Sequence, residues 1–405
     1  MSAASNSIDA YNPTFYAQEA LITLHNALGM ASRVYRAFEA ERNAYGLGNS
    51  IQIRKPSSLS VSTGGTAAPH DLSTSTKTIT LDQWKQVKMS LTDQEISKSG
   101  ERIIEEHIQP AAYQLANQVD SDLANLYKDI GTQVGHAAFN ATGGFGTAAT
   151  HVTDARRELA KAAGREVDVD AGNIHMAVRP EVEANFISSD FFSGYNTTGG
   201  TINQDALLRG SLGTRFGVEV FRNHNIGSSA YTSGTVVSGS DQAGAINGAH
   251  SIGATSLSID GLTGTETLVA GDAFTIAGDS QVYVVSANAT LSSGANTSVS
   301  IFPELKSAAA NDAVITFKSD NNADSFYPAL LFHRNAFALA MAPLPEIADG
   351  AGARISVISD DQTGLSIRSR VSYDDDLATV KVTLDILYGV KTIEPNLAVR
   401  IQENV

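Results

Sequence analysis

Apolar and polar residues alternate most clearly in a segment near the start of the chain. Between residues 79 and 91 the apolar side chains fall on odd positions and the even positions are mostly polar, a period of two that predicts a β-strand. A shorter alternating segment, residues 51–56, precedes it, and the intervening residues 57–76 are rich in Ser, Thr and Gly. We therefore predict an extended hairpin with a long polar tip. Because such an arm has little core of its own, it must lie on something else to be ordered.

A helical period governs residues 101–130, where apolar side chains recur at steps of three and four. Pro110 is compatible with a long helix that begins there, because the first turn needs no N–H from it. The single apolar stripe predicts that this helix rests on a sheet or on another helix. Further helices are predicted at residues 14–44 and 153–163, and another begins at Arg179.

Composition changes abruptly after residue 222. Residues 223–303 contain no Lys or Arg and are dense in Gly, Ser, Ala and Thr. Short alternating segments separated by turn signals predict a small barrel or sandwich. These segments are residues 257–259, 274–276, 282–284, 299–301 and 315–317. We interpret residues 223–325 as an inserted β domain.

The remainder of the chain mixes both periods. Residues 173–178 and 218–221 are predicted strands among helical segments. Alternation returns at residues 365–373 and 380–388, with a turn at the acidic residues 374–376, and residues 390–401 supply a last strand-like segment. The predicted fold class is α+β.

Charge and composition exclude several classes of function. The 405 residues include 28 Lys plus Arg and 43 Asp plus Glu, a formal net charge of −15, which disfavours coating of nucleic acid or binding to an acidic membrane surface. The chain has no cysteine, so disulfides, thiolate nucleophiles, iron–sulfur clusters and Cys-type zinc sites are excluded. We expect neither a signal peptide nor a membrane span, since the first residues lack an apolar segment and the apolar residues 329–342 are interrupted by His333 and Arg334.

Motifs for catalysis are incomplete. Ser251 lies in a sequence that resembles a nucleophile elbow, but short strand signals follow it where a helix is needed. The glycines of residues 143–146 lack the Lys-Ser/Thr of a phosphate-binding loop, and the acidic residues 374–376 lack the spacing of a calcium loop. The nine histidines are scattered. We expect no catalytic, cofactor or metal site.

Segments that are predicted to protrude say more about function than these incomplete motifs do. Trp84 lies on the mostly polar side of its strand, where it contacts either a neighbouring chain or its own subunit. Arg54 and Lys55, beside the hairpin tip, form either ion pairs between subunits or a solvated strand end. Arms that cannot bury themselves indicate a self-assembling protein, in which neighbours supply the missing contacts.

The order of elements resembles the major capsid (coat) protein of tailed double-stranded-DNA phages, with the Hong Kong 97 fold. The likeness is to coat proteins of short-tailed phages that carry an inserted β domain. Residues 50–56 resemble the strand that enters the extended loop of that family, and residues 108–120 resemble its long spine helix. Residues 332–340 and 384–391 resemble its closing segments.

This resemblance implies a division of the chain, with the following bounds. Residues 1–48 are an N-terminal helical arm, 49–92 an extended hairpin loop, 93–130 a peripheral domain with the spine helix, 131–222 the first part of an axial domain, 223–325 the inserted β domain, 326–364 the return of the axial domain and 365–405 the C-terminal strands of the peripheral domain.

The resemblance also implies a function and partners. Copies would form pentamers and hexamers of an icosahedral shell around double-stranded DNA, without sequence-specific binding, with a portal protein at one vertex. A separate scaffolding protein is expected, because the sequence starts almost directly at the arm. The protein would reside in the virion, and in the host cytoplasm before assembly. Some relatives crosslink Lys to Asn between subunits; Lys55 and Lys77 are the only lysines of the hairpin before its return strand, but the sequence gives no support for the other partners of that chemistry. The candidate inter-subunit contacts are Arg54, Lys55, Lys77 and Trp84.

Two alternatives remain open at this point. A nanocompartment shell of the same fold would enclose cargo enzymes in place of DNA, although the inserted β domain speaks against it. An ordinary enzyme with a β-rich accessory domain would form a small oligomer and have a deep pocket with perturbed titratable groups.

Overall fold

The computed structural model describes residues 13–36, 50–55, 75–95, 102–135, 148–163, 172–188, 213–227, 231–236, 244–262, 266–292, 296–318, 325–345, 353–360 and 365–404. Within this part of the chain there are two compact units, residues 1–120 with 338–393 and residues 121–337 with 394–405. The predicted hairpin tip and the glycines of residues 143–146 lie outside the described residues.

The helices and strands are numbered here in chain order. The helices are α1 (Pro13–Ala27), α2 (Arg102–Ala124), α3 (Ala148–Ala163) and α4 (Pro180–Ser188). The strands are β1 (Ser50–Lys55), β2 (Ser75–Thr80), β3 (Gln83–Thr92), β4 (Gln133–Gly135), β5 (Ile174–Val178), β6 (Thr214–Arg215), β7 (Val218–Arg222), β8 (Tyr231–Thr232), β9 (Gly244–Ile246), β10 (Ser256–Asp260), β11 (Glu266–Leu268), β12 (Ala273–Ile276), β13 (Val282–Val285), β14 (Ala289–Leu291), β15 (Asn296–Phe302), β16 (Val314–Phe317), β17 (Ser325–His333), β18 (Phe337–Ala342), β19 (Ala353–Asp360), β20 (Leu365–Asp374), β21 (Thr379–Thr392) and β22 (Ala398–Asn404).

The first unit is built on a sheet in the order β18-β21-β20-β19, with β3 also paired to β21. Residues Val382–Ile386 of β21 are all buried, with Leu384 and Ile386 on the apolar face of the sheet and Thr383 and Asp385 on the opposite face. Helix α1 packs on β19 and β20 and buries Tyr16, Ala20 and Leu24. The apolar face of the sheet therefore forms the core of this unit together with the helix.

The predicted hairpin is present at its base, where β1 and β2 pair antiparallel from Ser50 opposite Thr80 to Lys55 opposite Ser75. Its apolar residues, Ile51 and Ile79, are buried against the small side chains of β18. Close approach is also needed at Gly389, where a Cβ atom would lie 2.2 Å from the carbonyl oxygen of Thr80. The base of the arm therefore lies on the core of its own unit.

Two sequence predictions in this unit are wrong in extent. The alternating residues 79–91 do not form one strand of the hairpin, because the pairing breaks after Thr80 and β3 pairs with β21 from Thr92 opposite Thr379 to Gln83 opposite Tyr388. Alternation specifies which face is apolar and does not identify the partner strand. The first helix ends at Ala27 and not at residue 44, since the chain turns at residues 29–33.

The long helix is confirmed, but Pro110 lies inside it and not at its start. Proline removes the N–H that would bond to the carbonyl group of Glu106. Both residues are on the exposed side of α2, so water can solvate that carbonyl group. The apolar stripe, which includes Ile108, Leu115 and Val119, is buried as predicted.

The second unit contains a sheet in the order β4-β22-β17-β5-β7-β6, with β8 paired to β17. Helix α3 places Val152, Ala155 and Leu159 on it, in one buried cluster with Met176 and Leu331. Strand β5 and the start of α4 agree with the prediction.

The Gly- and Ser-rich region forms a closed barrel in the order β10-β15-β13-β12-β16-β9, so the prediction of a small barrel or sandwich is confirmed as a barrel. Each of the five predicted strand segments lies within a barrel strand, and their alternate residues, among them Leu257, Phe274 and Phe317, fill the interior. Strand β9 and the separate two-stranded sheet β11-β14 were not predicted. No described helix has the length and apolar character needed to cross a bilayer.

Candidate assembly surface

Trp84 is an exposed aromatic residue on the first unit, with 56% of its surface accessible. It lies in β3 on the positions that face away from the core, as the alternation of that strand predicts. Its indole Nε1–H donates a hydrogen bond of 3.2 Å to Oδ2 of Asp385. The ring is therefore oriented by its own chain while most of its surface stays exposed.

Asp385 is the centre of a buried charged cluster beneath this ring. It is fully buried and accepts hydrogen bonds from Nε of Arg368 at 3.0 Å and from Nη2 at 2.5 Å. Nη2 of Arg370 lies 3.4 Å from the same carboxylate. A two-point Arg–carboxylate pair has a defined geometry, and removal of one member of a buried pair costs about 3–5 kcal/mol. The cluster consequently gives Trp84 a rigid base.

Directly opposed residues of antiparallel strands share one face of a sheet. The pairing of β3 with β21 places even-numbered residues of β3 beside Asp385, Thr383 and Lys381. The pairing of β21 with β20 places Asp385 beside Arg368 and Thr383 beside Arg370. Gln86 accepts a hydrogen bond of 3.2 Å from Arg370 on this face, and Lys381 pairs with Asp374, whose pKa is lowered by that contact. We call this surface, from Trp84 to Arg370, the outer sheet face. It combines an exposed aromatic ring with fixed polar groups, the composition typical of protein interfaces.

Lys77 contacts its own unit through its side-chain amine. Its Nζ donates to the backbone carbonyl group of Ile393, so it connects β2 to the segment after β21 in the same unit. Arg54 and Lys55 lie in β1, where their backbones pair with Thr76 and Ser75. Their side chains are outside the described residues. The structure thus places Trp84 on the outer sheet face and the three basic residues on the hairpin.

A groove on the first unit was not predicted from the sequence. The odd-numbered side of β3 supplies Val87, Met89 and Leu91, which stay half-buried because α2 covers them only in part. The groove has a volume of about 430 Å³, and its lining is completed by Ser90, Val382, His107, Pro110, Ala111 and Gln114. The sequence feature that could have indicated this groove is the long alternation of residues 79–91. Its apolar side extends beyond the part that α2 covers.

Further exposed apolar side chains occur on the first unit. Tyr113 on α2 is exposed, and so are Tyr373 and Leu377 at the end of β20 and in the following turn. The hydroxyl group of Tyr373 donates to Oδ2 of Asp93 at 2.7 Å, a contact that raises the pKa of the tyrosine. Exposed aromatic residues held in one orientation lose little entropy when a partner covers them.

Candidate catalytic groups are not brought together in the described part of the chain. Ser251 lies in the loop between β9 and β10, where a strand and not a helix follows. The neighbouring His250 is engaged structurally, since its Nε2 accepts the backbone N–H of Ser258 at 3.1 Å. Among the described residues no group of three His, Asp or Glu side chains is placed to hold a metal ion.

Comparisons with known proteins give one family match, which covers part of the chain. Residues 74–255 match the family model described as phage capsid protein. No curated protein sequence matches the chain. A chain of Mycobacterium phage Che8 is similar in structure, with a TM-score of 0.51 and 14% sequence identity over 92% of this chain and 90% of the other.

Two further solved structures are similar over most of their length. The capsid structure of the Cyanophage P-SCSP1u has a TM-score of 0.48 and 10% identity, over 100% of this chain and 93% of the other. A virus-like particle from Pyrococcus furiosus has a TM-score of 0.41 and 6% identity, over 96% and 97%. Of these three structures the first exceeds a TM-score of 0.5, and the fold comparison rests on it. Part of this chain, residues 74–255, thus matches a phage capsid protein domain, and the chain has the fold of a chain of Mycobacterium phage Che8 over most of its length.

Proposed function

We propose that copies of this chain assemble through pentamers and hexamers into an icosahedral shell that encloses a double-stranded DNA genome. The observation that carries the proposal is the match of residues 74–255 to the phage capsid protein model. The first unit adds physical support. It has an exposed ring at Trp84, a half-open apolar groove beside α2 and a hairpin whose long tip connects paired strands. Such features are completed when neighbouring copies cover them.

Within this shell we propose the Hong Kong 97 arrangement, with the bounds given by the resemblance. The long helix α2 and the C-terminal strands β20 and β21 form the peripheral domain, and the hairpin β1-β2 begins the extended loop. One boundary is better drawn earlier than residue 92. Because β3 pairs with β21 along its whole length, residues 83–92 belong with the peripheral domain, and the extended loop ends at Thr80.

The partners follow from this role. We propose a separate scaffolding protein that directs assembly and a portal protein at one vertex. The enclosed DNA would be held without sequence-specific contacts. A formal net charge of −15 suits that role, because a wall with few basic patches does not retain DNA as it enters.

The test is assembly of the full chain with and without a candidate scaffolding protein, followed by sedimentation and negative-stain microscopy. Closed megadalton particles that contain DNA when isolated from infected cells support the proposal. Particles that contain protein cargo in place of DNA indicate a nanocompartment and contradict it. A small oligomer under all conditions contradicts shell formation itself.

A further inference from the structure

Arg400 on β22 is the largest fully buried side chain of the described residues, with 1% of its surface exposed. Its Nη2 donates to the carbonyl oxygen of Gly271 at 2.8 Å. The guanidinium carbon lies 5.4 Å from the ring centre of Tyr231 and 5.8 Å from that of Phe326. Its other two nitrogens, Nε and Nη1, have no hydrogen-bond partner among the described residues. A buried charged donor without an acceptor is costly, so the surroundings of these two atoms need an explanation.

Arg400 lines a small cavity that has about 20 Å³ of space for a water-sized particle. That space suits a single small occupant. The lining is mostly polar. Besides Arg400 it consists of Gln133, Tyr231, Ser233, Gly271, Asp272, Ala273, Lys318, Phe326 and Gln402. A Cβ atom on Gly271 would lie 3.2 Å from Nη1 of Arg400, so the glycine keeps this space open.

Several acceptors in this lining are already engaged. Asp272 accepts the hydroxyl group of Tyr231 at 2.8 Å and the backbone N–H groups of Gly234 at 3.0 Å and Val269 at 2.8 Å. Gln133 accepts from the amide group of Gln402, and the carbonyl oxygen of Gly271 accepts from Arg400. None of these contacts involves Nε or Nη1 of Arg400.

The positive charge of Arg400 also lacks an ion pair. No carboxylate of the described residues lies within 4.0 Å of the Arg400 guanidinium group, and Lys318 adds a second cation to the lining. Burial raises the pKa of Asp272, and the nearby positive charge of Arg400 opposes that rise. A water molecule could accept from Arg400, but it would need acceptors for its own two hydrogens. An anion only accepts, and it neutralises the charge as well.

We propose that this cavity binds a small monatomic anion of the chloride class, held by Nε and Nη1 of Arg400. The ion would connect the turn before β12 of the barrel to β22 of the sheet, both in the second unit. This role is independent of shell assembly, because all of the lining lies within one chain.

Thermal unfolding of the full chain tests the site. The salts are sodium chloride and sodium gluconate at one constant ionic strength, because gluconate is too large for the cavity. A ligand that binds only the folded state raises the unfolding midpoint in proportion to the logarithm of its concentration once the site is saturated. We expect the unfolding midpoint of the wild type to rise with chloride concentration. This rise should be lost in Arg400→Met. The matched control is Arg179→Lys, since Arg179 is similarly buried but is paired with Glu181 and lies outside the lining. That variant should keep the rise in full.

A second measurement does not depend on any variant. Chloride-35 line broadening by the wild-type protein should fall when bromide is added, and bromide should give an anomalous diffraction peak beside Arg400. Equal midpoints in the two salts, or a full chloride-dependent rise in Arg400→Met, overturns the proposal. So does broadening that bromide cannot displace.

Discussion

The side chain of Asp120 accepts a hydrogen bond of 2.6 Å from the backbone N–H of Gly29, a residue 91 positions earlier in the chain. The same carboxylate also accepts from the N–H groups of Met30 at 3.2 Å and Ala31 at 3.0 Å. A buried residue of the long helix thus holds the turn that ends α1. The fit is close, since a Cβ atom on Gly29 would lie 3.0 Å from Oδ2 of Asp120.

Replacement of Asp120 by Ala should destabilise the first unit by about 3 kcal/mol, because three backbone N–H groups lose this acceptor. Denaturant unfolding of the full chain measures the change as a lower midpoint at unchanged slope. Ser121→Ala, one position along the same helix, is the matched control and should change the free energy of unfolding by less than about 0.5 kcal/mol. Equal stability of the two variants would show that the turn is held by other contacts.

The same residue gives a prediction about pH. Burial raises the pKa of Asp120 in spite of the three N–H donors, so the folded state holds its proton to a higher pH than the unfolded chain does. The carboxyl group therefore favours folding fully below the unfolded pKa, near 3.8, and this contribution is lost as pH rises through the folded pKa. We expect the stability advantage of wild type over Asp120→Asn to shrink as pH rises from about 4 to 7. Denaturant unfolding of both proteins over this range checks it, and an advantage that grows with pH contradicts it.

Trp84 is the only tryptophan of the chain, which makes its fluorescence a direct reporter of the outer sheet face. If this face is an inter-subunit contact, assembly should shift the emission to shorter wavelength and reduce quenching by acrylamide several-fold. Trp84→Ala should fold with a loss of about 1 kcal/mol or less, because more than half of the ring is exposed, yet it should form fewer shells.

The matched control for that variant is Ile252→Ala, an exposed apolar residue in the loop before β10 of the second unit. It should assemble like the wild type. Unchanged Trp84 quenching in assembled shells would show that the ring contacts only its own subunit and solvent.

Removal of the hairpin tip tests the arm. Replacement of residues 57–73 by a short Gly-rich turn leaves the paired strands β1 and β2 intact, together with Ile51 and Ile79 on β18. Because the base of the arm is anchored in its own unit, we expect a folded subunit with an unfolding midpoint near that of wild type. Shell yield should fall at least tenfold. Normal shells from this variant would refute an intermolecular role for the tip.

Local pattern was sufficient for much of the secondary structure. The alternation at residues 257–259 and 274–276 identified barrel strands, and the helical spacing around Ile108 and Leu115 identified α2. The even position of Trp84 correctly placed it on the polar side of its strand. Such features depend on neighbours a few positions away, so the residue order alone determines them.

Only the tertiary structure shows which residues far apart in the sequence contact each other. Nothing near Asp120 indicates that it binds the N–H groups of residues 29–31, and nothing in the last strand indicates that Arg400 faces a cavity of the barrel region. Likewise β3 shows the same alternation whether it pairs with β2 or with β21. The sequence by itself determined the elements and their apolar faces, because side-chain direction repeats with the local backbone. Which faces meet depends on the packing of the whole chain, and that packing alone produced the buried polar contacts.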